Sequence, residues 1–248
     1  MNSKDLFDRY EEALRPVRAE QAADPDLELL TSQDCPEQLF FLWNLRWTAH
    51  GVRMAEPVPK LLRDVGKRWG EVGQPTLAKK YEAHGSEEIG HDDLMASDAR
   101  VLAERWNESA RVPIDVEALI DSPALPSVQR FHGWLRTGDL LFYEAAILYE
   151  IERLSISFLP LLIDRCRETL PRGGYGFLEE HLEVDQGHVE GAAAGVRAVL
   201  NLDASDLPAL IAAGSFALPA YCDLFRECLA LAKKDFERET TTPLGIVP

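Results

Sequence analysis

Positive charge is scarce in this chain. Lys and Arg total 26 against 42 Asp and Glu, a net charge of −16 over 248 residues. Nucleic-acid binding depends on cation density that displaces phosphate counterions. Docking on an anionic membrane depends on the same, so the balance argues against both partners. Cysteine is rare too: Cys35, Cys166, Cys222 and Cys228 are scattered, with no C-x-x-C pair. That argues against a disulfide frame or a thiolate zinc site and predicts free thiols in a reducing cytoplasm. No uncharged apolar run reaches the roughly 18 residues that a bilayer span needs. The first residues, MNSKDLFDRYEEALR, lack the apolar core of a signal peptide. Alternating runs long enough for strands are absent, as are repeats, low-complexity tracts and any one Pro/Gly-rich linker. Residues 1–248 therefore read as a single all-α domain, a bundle of about seven helices.

Proline and glycine mark the helix ends. Asn2-Ser3 caps a first helix that runs to about Ala22 with a kink at Pro16, and 24–36 reads mostly as loop. Gln38 to Ala55 follows, then a short helix to about Trp69. Thr76 to Trp106 forms one long helical stretch, interrupted by Gly85 and Gly90. A turn is expected over Val116–Ile120 and a short helix over Val128–Leu135. Three long helices close the chain: Leu140 to about Leu170 with Asp139 as its cap and a kink at Pro160, Tyr175 to Leu200, and Asp206 to Glu237.

Histidine is scarce as well, at six residues, yet four of the six sit beside carboxylates in two helices. In the first, Glu88 and His91 are three apart, which places them on one helix face. They share it with Leu77, Tyr81, His84, Met95 and Leu102, so they point where apolar residues point; Glu87 and Asp93 read as solvated. In the second, His181, Asp185 and His188 fall at i, i+4 and i+7 on the stripe of Leu178, Ala192 and Val199. Glu179, Glu183, Gln186 and Glu190 form the polar face. Buried groups of this kind cost several kcal/mol unless something satisfies them, and a metal ion does so directly. A third segment offers Glu152, on the stripe of Leu141, Ala145 and Leu148, ahead of Glu144; Glu150 reads as exposed. Three imidazoles and three carboxylates suit two divalent irons with positions left for O2. His84 and Asp98 read first as structural residues, and otherwise as supports of the site or extra ligands.

These segments resemble the heme-oxygenase-like di-iron oxidases and oxygenases. The likeness rests on His84-x3-Glu88-x2-His91 followed by Asp98, on Leu148-Tyr149-x-x-Glu152, and on His181-x3-Asp185-x2-His188, over roughly residues 38–235. It implies a seven-helix heme-oxygenase-like fold, often dimeric. The implied metal ligands are Glu88, His91, Glu152, His181, Asp185 and His188, holding two Fe(II)/Fe(III) ions. It further implies O2 as co-substrate, an external electron donor, and a small organic substrate such as an amino acid, an amine or a fatty acid.

Three alternatives accompany that reading. One is a catalytically silent or iron-storage protein that keeps the site. The second is a thiaminase-like member with a cysteine nucleophile, for which Cys166 is a weak candidate. The third is a heme-degrading member with His50 as proximal ligand. The aromatic run Phe40–Trp47 reads as core or as pocket wall, and Arg46 or Arg53 as a clamp for a substrate carboxylate.

Overall fold

A computed structural model describes residues 3–137, 143–170 and 172–242; the side chains of residues 3, 136, 137 and 183–186 lie outside the description. Every regular element among the described residues is helical. The order is α1 (Ser3–Ala22), α2 (Pro25–Thr31), α3 (Glu37–Ala55), α4 (Val58–Glu71), α5 (Pro75–Glu87), α6 (His91–Asn107), α7 (Val116–Ile120), α8 (Pro126–Thr137), α9 (Tyr143–Thr169), α10 (Gly176–Leu202) and α11 (Leu207–Thr241), with a 3-10 turn at Ala204–Asp206.

The chain divides more finely than its hydrophobic periodicity suggests. The segment expected as loop contains α2, which starts because Asp24 accepts hydrogen bonds from the N–H groups of Asp26 and Leu27, with Pro25 fitted to the first turn. The stretch expected from Thr76 to Trp106 is two helices. Gly85 does not interrupt it. That glycine lies inside α5, where a Cβ would meet Pro59 O at 3.0 Å and Leu62 Cβ at 3.1 Å, so its bare Cα lets α4 and α5 pack closely. Gly90 does the breaking, at φ +94°, a left-handed conformation that favours glycine. The expected caps at Asn2 and Asp139, and the first turn of the helix after Asp139, lie outside the described residues.

α3 is apolar on nearly every side and is correspondingly central, with Phe40, Leu42, Trp43, Leu45 and Trp47 all buried. It packs against α6 and α11; α9 packs against α10 and α11; α4 pairs with α5. The segment Ala204–Thr241 is long and apolar enough to cross a membrane by length and composition, but half of its most apolar window is buried inside the fold. α11 packs against α1, α3, α8 and α9, which makes it a core helix whose apolar length serves the interior. The consequence for function is that α5, α6, α9 and α10 hold their polar residues against one another in an otherwise apolar interior.

Candidate metal centre

Two compact groups of ligating side chains lie next to each other. His84, Glu152 and His188 form one, and Glu88, His91 and His181 the other; within each group the three donor atoms are no more than 4.8 Å apart. In the first, His84 Nε2 is 3.5 Å from Glu152 Oε1 and His188 Nδ1 is 3.8 Å from Glu152 Oε2. The two imidazoles stack with centroids 3.6 Å apart. In the second, His91 Nδ1 is 2.7 Å from Glu88 Oε2, and the His91 and His181 rings lie 4.5 Å apart. Glu88 joins the groups, since its other oxygen is 3.2 Å from His84 Nε2.

Five of the six residues expected as ligands are thus brought together, and His84, expected first in a structural role and otherwise as a support or extra ligand, stands among them. Asp185, the sixth, lies in α10 with its side chain outside the description. The geometry behind the Glu88–His91 pair differs from the expectation. The two do not sit on one continuous helix face: Glu88 caps the C-terminus of α5 and His91 opens α6. The tight turn at Gly90 swings His91 back onto Glu88. Glu87, expected in solvent, hydrogen-bonds His188 Nε2 at 2.9 Å while half of its side chain stays exposed. No periodicity marks that role, because it depends on how α10 docks beside α5.

The segment leading into α10 is pinned by polar side chains of two other helices. Asn44 donates to Gly174 O at 2.9 Å and Arg105 donates to Gly173 O at 3.0 Å. Asp98 accepts from the Phe177 N–H at 2.9 Å, so it caps α10 one turn before His181. Burial pushes the Asp98 carboxyl up, partly offset by the Phe177 and Gly176 N–H groups. Phe177 then wedges against His181 and His91, with centroids 4.3 and 5.6 Å away.

α9 carries three buried glutamates with different partners. Glu144 pairs with Arg68 of α4. Glu150, expected to be exposed, is buried because Arg18 and Tyr10 of α1 reach it at 2.8 and 2.9 Å. Glu152 faces the imidazoles of His84 and His188. Burial raises the Glu88 carboxyl, but the hydrogen bonds with His84 and His91 and the charge of His181 outweigh it and hold Glu88 well below the usual carboxylate range. Burial lowers His91, and its contact with Glu88 more than reverses this, leaving the imidazole above its ordinary value.

An apolar cavity of about 120 Å³ ends on this centre, lined in part by His84, Glu88, Glu152 and His181 and otherwise by residues such as Trp47 and Ile151. The arginines expected as clamps serve elsewhere. Arg46 is paired with Asp235 at 2.6 Å and Arg53 with Glu56 at 3.1 Å. His50 is buried on α3 with Nδ1 against Ser122, and it is not among the residues lining this cavity. Cys166 is fully buried, and burial, then the charges of Asp98 and Glu179, push its thiol far above its ordinary value, the opposite of what a nucleophilic thiolate needs.

The structure is similar to that of a domain of unknown function with a heme oxygenase-like fold from Shewanella denitrificans OS217, with a TM-score of 0.63 over 96% of this chain and 93% of that one. The fold is heme oxygenase-like. Sequence identity to that domain is 15%, so the likeness extends to the fold alone. No protein-family model and no curated protein matches the sequence.

The donor set itself tests whether a metal suits the place. Each group offers two imidazoles and one carboxylate, with no thiolate. Nitrogen and oxygen donors of that kind suit divalent iron, manganese or zinc, and two histidines with one carboxylate leave coordination positions open. The residues fit a pair of divalent ions.

Proposed function

We propose that the protein is a non-heme di-iron oxidase or oxygenase that uses O2 to oxidise a small organic substrate. The observation that carries this reading is the pairing of two groups, each of two histidines and one carboxylate, joined through Glu88 and placed at the end of an apolar cavity. His84, Glu152 and His188 would hold one ion, and Glu88, His91 and His181 the other, with Glu88 shared. Iron held there would supply the activation of O2. The chain's own part is to fix the imidazoles, through Phe177 and the Asp98 cap, and to present an apolar cavity that keeps bulk water from the reacting substrate.

Apo-protein exposed anaerobically to Fe(II) should hold close to two irons per chain. With a reductant supplied, O2 consumption should be coupled to loss of one organic substrate over several turnovers. Stoichiometric heme binding without such iron uptake would replace this reading with a heme-based one. Uptake of many irons per chain, with no substrate converted, would replace it with storage.

A further inference from the structure

A second cavity reaches the centre, sharing only His84 and Leu148 with the apolar one. Between α5 and α10 a cavity of about 290 Å³ leads to His84 and His188, walled by Lys80, Ala83 and Glu87 on one side and Gly187, Gly191 and Ala192 on the other. Glu87 spans the boundary. Half of its side chain is exposed, yet Oε2 lies 2.9 Å from Nε2 of His188, whose side chain is only 5% exposed. Directly behind His188 stand His84 and Glu152. A hydrated cation must exchange its waters for protein donors one by one, because shedding them into apolar surroundings is prohibitively costly. Both cavities have largely apolar walls; what the apolar cavity lacks, among the described residues, is a charged side chain of the Glu87 kind at the water boundary, its carboxylates being the buried Glu88 and Glu152. The α5–α10 opening offers a carboxylate at the water boundary and an imidazole immediately inside it.

Resting on the metal-binding reading above, we propose that the α5–α10 opening is the port through which a divalent cation reaches the centre, with Glu87 taking the ion from water and handing it to His188, His84 and Glu152. The ion exchanges water for the Glu87 carboxylate, the Glu87–His188 hydrogen bond opens, and the bond recloses after the ion has passed. The net charge of −16 draws cations toward the surface, while Lys80 on the rim opposes them.

Co(II), added alone to apo-protein in a stopped-flow instrument, tests the port through growth of its visible ligand-field band, with final stoichiometry measured separately. Gly191 has open space where a Cβ would stand, so a side chain can start there and Gly191→Leu narrows the port. Glu87→Gln keeps the size of the side chain and removes its charge. Both variants should reach the wild-type stoichiometry, with uptake slowed at least about tenfold, the lower end of what a directed electrostatic path contributes; Lys80→Ala should load faster than wild type. If Glu87→Gln loads at the wild-type rate, ions arrive by another path and the port is refuted. If Glu87→Gln ends with less cobalt per chain, Glu87 is a ligand and the port is refuted as well. Apo melting temperatures show whether Gly191→Leu is folded; if it is not, Glu87→Gln decides alone. A wild type that binds no Co(II) or Fe(II) fails one step earlier, at the metal-binding reading itself.

Discussion

Glu88 presents its two carboxylate oxygens to different imidazoles, one to His84 at 3.2 Å and the other to His91 at 2.7 Å. It is the residue through which the two ligand groups touch. Losing it should therefore cost more metal than losing a residue that belongs to one group. After anaerobic Fe(II) loading, Glu88→Ala should retain almost no iron, whereas His188→Ala should retain about half of the wild-type content, both by elemental analysis. Metal binding stabilises the folded state by mass action, so the gap between apo and loaded melting temperatures should vanish in the first variant and shrink in the second. Equal iron content in the two variants would mean that Glu88 does not couple the groups.

Asp98 lies outside both ligand groups and acts on α10, accepting from its Phe177 N–H. Asp98→Ala should destabilise the apo-protein by about 1–3 kcal/mol, the usual cost of leaving a buried N–H without its acceptor, and Asp98→Asn by less, because its amide oxygen can still accept from the Phe177 N–H. Urea unfolding measures both. Iron stoichiometry should survive in either variant at saturating Fe(II), which separates a positioning role from ligation. An Asn variant as unstable as the Ala variant would contradict the capping role.

His50 sets a pH dependence of stability independent of the metal centre. Burial, reinforced by the charge of Arg46, pushes its imidazole down from the ordinary 6.5 to about 4. Between those values the unfolded chain binds a proton that the folded chain refuses. Stability is therefore intact above pH 6.5 and is lost as pH falls toward 4, by up to roughly 3 kcal/mol from this group alone. Urea midpoints of metal-free wild type and His50→Gln, compared across that window, should show a shallower pH slope in the variant. Parallel slopes would show that His50 is not the group responsible.

How far the sequence reaches is clearest in α5, α6 and α9. The 3.6-residue stripe holding His84, Glu88 and His91 marks side chains that the fold largely buries, although the Gly90 turn, not a continuous helix, brings His91 to that side. Which glycine makes the break is not legible in the pattern: Gly85 and Gly90 look alike in sequence, and only Gly90 takes the left-handed φ that ends α5. α2 stayed hidden because a seven-residue helix carries too few apolar positions to show a stripe, and its signal was the Asp24-Pro25 start alone. In α9 the pattern orders Glu152 ahead of Glu144 but misplaces Glu150. From Glu144 to Glu150 α9 is buried on every side, so that stretch has no solvent face to betray, and the guanidinium that accommodates Glu150 comes from α1, 132 residues away. Partners that distant leave no local trace.

That difference in partners predicts opposite phenotypes for two glutamates only two residues apart. Glu150 is a structural ion-pair member: it binds Arg18, whose side chain is 18% exposed, and accepts from Tyr10. Truncating it leaves a poorly hydrated guanidinium and a buried hydroxyl without their main acceptor, and breaking a buried pair from one side costs on the order of 3 kcal/mol. Arg18 retains Glu11 at 2.9 Å, which keeps the penalty from running higher. Glu150→Ala should thus lower the apo melting temperature markedly, while the folded fraction still takes up iron at the wild-type stoichiometry. Glu152 faces His84 and His188, and the Arg18 and Arg68 guanidiniums serve Glu150 and Glu144 instead. Glu152→Ala should cost the apo-protein less stability than Glu150→Ala and yet remove iron from the group it shares with those histidines. The two variants, measured side by side by apo unfolding and by metal content, should fall in opposite corners of a stability-against-occupancy comparison. If Glu150→Ala loses iron while Glu152→Ala keeps it, the assignment of Glu152 to the metal centre is wrong.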